Sequence, residues 1–320
     1  MTPWVEKHRP KYIGDVVHHD NLGRILKGLE RTGDLPHLLF HGPPGTGKTS
    51  TILALARTLF GESGFRDRVL ELNASDDRGL DVVRRKIKAF SKISVSSCEI
   101  KLVILDEADT MTPTAQSALR RTMETYSTVT RFCLVCNNVS KIISPLTSRC
   151  AKFRFSPLPA ASMKSRLLDI CESEGLIFRN DSRIILDAIV RSSGGDMRKS
   201  VNILQATSTL RRVSPEAIAE IAGEVPEGVF DDLWSACLAR GCGTVIDAVS
   251  RFTDEGYSVN SVIPRIQDLV VSCADVADAA KARIFRRLLE ADRRLNDGAD
   301  EEIQLLDICC FIQENIKGTL

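Results

Sequence analysis

The segment Gly42-Pro43-Pro44-Gly45-Thr46-Gly47-Lys48-Thr49, set directly after the apolar triplet Leu38-Leu39-Phe40, constrains this chain more than any other. Loops of this type need glycine because their backbone N–H groups turn inward around phosphate oxygens, and a Cβ would block that approach. The first turn of a following helix adds free N–H groups and a dipole that favour the same anion. Residues Ser50 to Phe60 have the apolar spacing of a helix, so the loop has a strand before it and a helix after it. On this pattern Lys48 reaches the β- and γ-phosphates of ATP, and Thr49 ligates Mg2+.

A second motif, this one acidic, completes the expectation. Asp106-Glu107-Ala108-Asp109 follows the apolar run Leu102-Val103-Ile104-Leu105. Carboxylates there stand at the carboxyl edge of a parallel sheet, where such folds bind ligands. Asp106 is expected to hold Mg2+, and Glu107 to orient and polarise the attacking water, because γ-phosphoryl transfer relies on positioning and charge stabilisation. Asn137 and Asn138 follow another apolar strand at the same edge. An amide there can bond the attacking water or the γ-phosphate, although asparagine is also a good turn former. Ser148-Arg149-Cys150 and Gly195-Asp196-Met197-Arg198 carry little weight on spacing alone.

Up to about residue 156 short apolar strands alternate with amphipathic helices, which predicts an α/β unit with a parallel sheet covered on both faces. Beyond about residue 160 only helical periodicity remains, with breaks at Gly194-Gly195 and Gly223-Glu224-Val225-Pro226. The expected division is 1–156 for nucleotide binding, 157–223 for a small helical lid and 224–320 for an all-α domain. A chain of 320 residues is long enough for each to bury a core.

The ten cysteines sit in apolar segments and read as small buried hydrophobes in a reducing compartment. Cys133 and Cys136 have a C-x-x-C spacing, but the segment reads as a buried strand and no second pair follows at zinc-ribbon spacing. No run approaches the length of a membrane span and the N-terminus lacks the apolar stretch of a signal peptide, so an intracellular protein without membrane attachment is expected. A net charge of +1 gives no global attraction to nucleic acid. Any such contact must be local, and Arg78, Arg84, Arg85, Lys86, Lys88 and Lys92 form the candidate stretch.

These motifs, with Trp4-Val5-Glu6-Lys7-His8-Arg9-Pro10, Glu71-Leu72-Asn73-Ala74-Ser75-Asp76-Asp77-Arg78-Gly79 and Ala118-Leu119-Arg120-Arg121-Thr122-Met123-Glu124, make the whole chain resemble the small subunits of replication factor C. That family is the eukaryotic sliding-clamp loader of the AAA+ class. The stretches from Thr125 to Phe132 and Glu302-Ile303-Gln304-Leu305-Leu306 look most like its subunit 2 paralogue in yeast naming.

The resemblance implies an AAA+ domain, a lid and a helical collar, assembled in a nuclear hetero-pentamer that loads the PCNA clamp onto primer–template DNA. It implies that Val5 and Arg9 line the adenine pocket and that Gly42 to Ser50 hold the phosphates. Asn137 and Arg198 would sense the γ-phosphate, and Arg149 would be a finger acting on a neighbour's ATP. It also implies DNA-backbone contacts from Arg78, Arg84 and Lys88. Arg84 and Lys88, four apart on a helix, face one way, but a solvated basic face remains the alternative.

His8 departs from the tyrosine usual in that family. A helicase is suggested by the string Asp106-Glu107-Ala108-Asp109, but it would need a second motor domain with strands of its own. An assembly subunit without hydrolysis is opposed by the intact Lys48, Thr49, Asp106 and Glu107.

Overall fold

The computed structural model describes residues 2–16, 28, 35–74, 80–92, 100–176, 182–210, 213–239, 241–273 and 276–317. The chain divides into two compact units, Met1–Val213 and Ser214–Leu320.

The first unit is built on a sheet of β1 (Leu38–His41), β2 (Val69–Asn73), β3 (Lys101–Asp106), β4 (Thr130–Cys136) and β5 (Ala151–Arg154). The spatial order is β2-β3-β4-β1-β5, and every pairing is parallel. β1, which feeds the glycine-rich loop, therefore lies between β4 and β5. Parallel strands need crossover connections, and helices supply them.

The wholly apolar run in β3 is explained by burial on both faces. Leu102 and Ile104 enter the core under the helix α2 (Lys48–Arg68), with Phe40, Ile52, Leu55 and Cys133. Val103 and Leu105 enter the opposite core, with Ile87, Leu119, Met123, Phe132 and Cys136. That side is covered by α3 (Leu80–Lys92) and α4 (Pro113–Tyr126). α2 is broken at Gly61, whose φ is 68°. β3 begins one residue before the apolar run, because Lys101 is buried and its ammonium donates to Phe90 O at 2.6 Å.

The two cysteines of the C-x-x-C spacing lie three residues apart on one strand. Side chains alternate faces along a strand, so Cys133 and Cys136 enter opposite cores and cannot share a ligand. Burial pushes the Cys136 thiol up to about 12 and the Cys133 thiol well above its ordinary value.

A short helix α1 (Trp4–Lys7) precedes the sheet, and α5 (Ser144–Thr147) lies between β4 and β5. After β5 come α6 (Ala160–Glu174), α7 (Ser182–Ser193) and α8 (Met197–Thr207). α1 rests on this helical group: Trp4 N–H donates to Gln205 Oε1 at 3.0 Å, and Arg166 Nη2 to His8 O at 3.0 Å. Lys7 and His8 both meet Glu174 Oε1, at 2.6 and 2.5 Å.

The second unit is helical among its described residues: α9 (Pro215–Ala222), α10 (Glu227–Leu238), α11 (Cys242–Asp254), α12 (Val259–Ser272), α13 (Asp278–Asn296) and α14 (Glu301–Lys317). Phe230, Phe252, Ile266, Leu288 and Ile308 belong to its core. Arg265 stacks 4.1 Å over the Phe230 ring and donates to Val225 O at 2.8 Å. Among the described residues no helix is long and apolar enough to cross a membrane.

Candidate nucleotide site

The carboxyl ends of β1, β3 and β4 bring three parts of the sequence together in the first unit. β1 delivers the glycine-rich loop, whose Gly47 is the N-cap of α2 with φ 87°. β3 delivers Asp106 and Glu107, and β4 delivers Asn137. The pairing of β1 with β4 sets His41 opposite Cys136, so the residues that follow both strands emerge side by side.

Lys48 is buried and folds back into the loop. Its Nζ donates to Gly42 O, Pro43 O and Asn137 Oδ1, each at 2.8 Å. Burial is the main effect pushing its ammonium below the usual lysine range, with Asp106, Cys136 and Asp109 opposing and Arg198 adding. Thr49 Oγ1 donates to Asp106 Oδ2 at 2.7 Å. A hydroxyl and a carboxylate converging at the first turn of α2 form a hard-oxygen pair suited to Mg2+.

Glu107 is the one non-glycine residue at positive φ among the described residues (φ 53°, ψ 38°). That conformation costs about 1 kcal/mol or more for a residue with a Cβ. It is held from both sides: Glu107 N–H donates to Asp106 Oδ1 at 2.9 Å, and Glu107 O accepts from Thr110 N and Oγ1 at 2.9 and 2.8 Å. Asp109, at the end of the same motif, accepts from Asn137 N–H at 3.2 Å and Asn138 N–H at 3.1 Å. The acidic motif thus fixes the asparagine loop as well as supplying the site's carboxylates.

Two glycines are required by close approaches. A Cβ on Gly42 would stand 2.0 Å from Phe155 O, and one on Gly45 would stand 1.6 Å from Asp196 Oδ1. Asp196 is the N-cap of α8, accepting from Lys199 N–H at 3.0 Å, and the next residue's N–H reaches back to Gly45 O at 3.1 Å. The start of α8 is thereby seated on the glycine-rich loop, and Arg198 is carried to the rim of the cavity.

The cavity is lined by Val5, Arg9, Pro44, Gly45, Thr46, Gly47, Lys48, Thr49, Ser50, Asp106, Glu107, Asn137 and Arg198. Gly42 and Pro43 contribute through the carbonyls that hold Lys48. Leu158, Ile170 and Val201 supply apolar wall, and His8 and Arg166 also line it. The sequence offered no local signal for these three apolar residues, since an apolar position reads the same whether it meets a core or a ligand. Asp109 and Asp196 lay inside motifs already singled out, but the asparagines that bond Asp109 and the glycine that Asp196 approaches are remote in sequence.

Arg149 does not line this cavity. Its Nη2 meets Glu124 Oε1 at 2.7 Å and its Nη1 donates to Pro145 O at 2.9 Å. Lys88 is exposed on α3. Arg84 belongs to the same helix, while its side chain and the whole of Arg78 lie outside the described residues.

Comparison with known proteins agrees with this arrangement. Residues 38–158 match the family model described as ATPase family associated with various cellular activities. Residues 225–310 match the replication factor C C-terminal domain. The chain is 46% identical over 316 residues to replication factor C subunit 2 of Oryza sativa subsp. japonica, covering 96% of this chain and 92% of that one. It is 41% identical over 332 residues to replication factor C subunit 2 of Saccharomyces cerevisiae, covering 98% and 93%. A solved structure of a Thermotoga maritima RuvB variant matches with a TM-score of 0.52 at 16% identity, covering 81% of this chain and 91% of that one, and so speaks for the fold alone.

Proposed function

The chain belongs to the replication factor C small-subunit family of AAA ATPases, and from that premise we propose that it binds ATP in the cavity just described and completes a site with a neighbouring subunit. It is an ATPase subunit of a clamp loader. The clamp is PCNA, the substrate is primer–template DNA, and the assembly is a hetero-pentamer in the nucleus; the replication role of its relatives supports these readings.

The observation that carries the reading is the pair of side-chain bonds Lys48–Asn137 and Thr49–Asp106 at one sheet edge, where Glu107 N–H also donates to Asp106. Val5 and Arg9 take the adenine end of ATP. The loop from Gly42 to Ser50 takes the phosphates through its N–H groups, with Lys48 leaving its carbonyl partners to reach the β- and γ-oxygens. Thr49 and Asp106 would hold Mg2+, which neutralises charge between those phosphates when bound. Glu107 orients and polarises the attacking water. Asn137, released from Lys48, bonds that water or the γ-phosphate, and Arg198 reaches the same phosphate from α8. Arg149 serves the nucleotide of a neighbour; its place outside the lining of this chain's own cavity supports that assignment.

The three-part division at residues 156 and 223 is kept as part of the proposal. The limits of the two family matches, 38–158 and 225–310, support it. The two-unit packing boundary at Val213 gives α9 to the second unit instead of the lid.

The test is reconstitution with the partner subunits, measuring ATP hydrolysis with and without clamp and primed DNA. Stimulation by both is expected, and Lys48→Ala should abolish nucleotide binding by this chain. Unchanged binding would remove the central claim. Arg84→Ala with Lys88→Ala should weaken DNA stimulation and flatten its salt dependence. No change in either would return that helix face to plain solvent exposure.

A further inference from the structure

The motif Ala118 to Glu124 has no part in the nucleotide cavity, yet its last residue touches the arginine assigned to a neighbour's site. Glu124 stands in the last turn of α4, and Arg149 follows α5 by two residues. Two groups hold the guanidinium: the Glu124 carboxylate at 2.7 Å from Nη2, and Pro145 O at 2.9 Å from Nη1. Arg120 Nε lies 3.9 Å from the same carboxylate oxygen and helps to orient it.

The supports beneath these groups are buried and bonded to one another. Leu119 and Met123 on α4, and Cys150 beside Arg149, are buried in one core. Gln116, buried on α4, donates to Lys141 O at 2.9 Å and accepts from Ile143 N–H at 2.8 Å. α4 and the segment carrying Arg149 are therefore tied together at both ends of the helix.

We propose that Glu124 is a positioning residue, holding the Arg149 guanidinium extended and ordered for the phosphates of a nucleotide on the adjacent subunit. The inference rests on the reading of Arg149 as a finger acting in trans. A free arginine loses much rotamer entropy when it is fixed, and a pair of anchors removes that loss before the neighbour arrives. A guanidinium has five N–H donors; the contacts to Glu124 and Pro145 engage two and leave three for an incoming anion. Both side chains are partly exposed, so the ion pair is weak enough for a polyphosphate to compete.

The experiment uses the complex reconstituted with the full chain carrying Glu124→Ala, Glu124→Gln, Arg149→Ala or Glu124→Ala with Arg149→Ala. Clamp- and DNA-stimulated hydrolysis gives kcat and KM for ATP, and circular dichroism verifies folding. Arg149→Ala is expected to lower kcat most. Glu124→Ala should lower kcat about three- to tenfold with KM within about twofold, and Glu124→Gln, which keeps an oxygen acceptor, should fall between it and the parent. The double variant should match Arg149→Ala alone. Additive losses, a rise in KM at constant kcat, or a Glu124→Ala complex as fast as or faster than the parent would overturn the proposal. If Arg149→Ala itself leaves kcat unchanged, the trans-finger reading fails and takes this inference with it. If Arg149→Ala is impaired and Glu124→Ala is not, only the role of Glu124 is lost.

Discussion

Lys48 Nζ and Asn137 Oδ1 are bonded at 2.8 Å across 89 positions of sequence. The ammonium is already buried and directed into the glycine-rich loop, and on the proposed reading the amide that accepts from it stands in for a phosphate oxygen. The two side chains are thus bonded to each other without nucleotide, and on that reading ATP binding would exchange one acceptor for another.

That exchange separates their roles in a measurable way. Lys48→Ala should remove nucleotide binding, read by titration calorimetry. Asn137→Ala should leave the dissociation constant within about threefold while lowering hydrolysis about a hundredfold, the scale on which single oriented polar groups contribute to a transition state. Equal losses of affinity in both variants would show that Asn137 serves binding alone.

Glu107 combines a left-handed backbone with the carboxylate assigned to the attacking water. Glu107→Gln should bind ATP normally and hydrolyse it poorly. Glu107→Gly should be equally inactive but more stable by about 0.5 kcal/mol, the left-handed penalty less the added chain entropy of glycine. Thermal and urea unfolding of the two variants would reveal whether the strain is present.

The contact between Gly45 and Asp196 predicts a substitution that no loop-only argument would single out. In Gly45→Ala the new Cβ would collide with the Asp196 carboxylate, displacing the start of α8 and Arg198 with it. Nucleotide affinity should fall at least about tenfold. Asp196→Ser keeps a helix cap in a smaller side chain, so it should restore part of the loss when combined with Gly45→Ala. A double variant no better than Gly45→Ala would mean that backbone strain at φ 67° dominates.

His37 gives an acid-sensitive element to the first unit. Its Nδ1 accepts from Phe132 N–H at 3.2 Å, which requires a neutral ring, and burial followed by the Arg131 charge holds its pKa below the ordinary histidine value. The unfolded chain therefore takes up the proton first as pH falls. Stability contributed by the neutral ring is full above the ordinary value and is lost as pH falls from there toward the lowered folded value. His41, lowered chiefly by burial and then by Arg154, Lys152 and Lys48, adds a loss of the same sign. Urea unfolding of the parent should weaken from pH 7.5 to 5.5, and His37→Gln, which retains an acceptor for Phe132, should show a shallower decline. An identical slope would remove His37 from the account.

The sequence by itself determined the class of ligand and the class of fold. Glycines that can turn inward, a lysine and a threonine at the start of a helix, and a doubly buried strand ending in Asp106-Glu107 are local properties, set by φ, period and side-chain chemistry. The same locality made the all-helical remainder legible from about residue 160 onward. Only the tertiary structure decided which strand ends became neighbours. β4 pairs with β1, although β2 and β3 come between them in sequence, and that pairing alone brings Asn137 to Lys48. Tertiary packing likewise seated Asp196 on Gly45 and joined Arg149 to Glu124. Strand order and helix docking arise from burial summed over the whole chain, which is non-directional, so no short stretch of sequence encodes them.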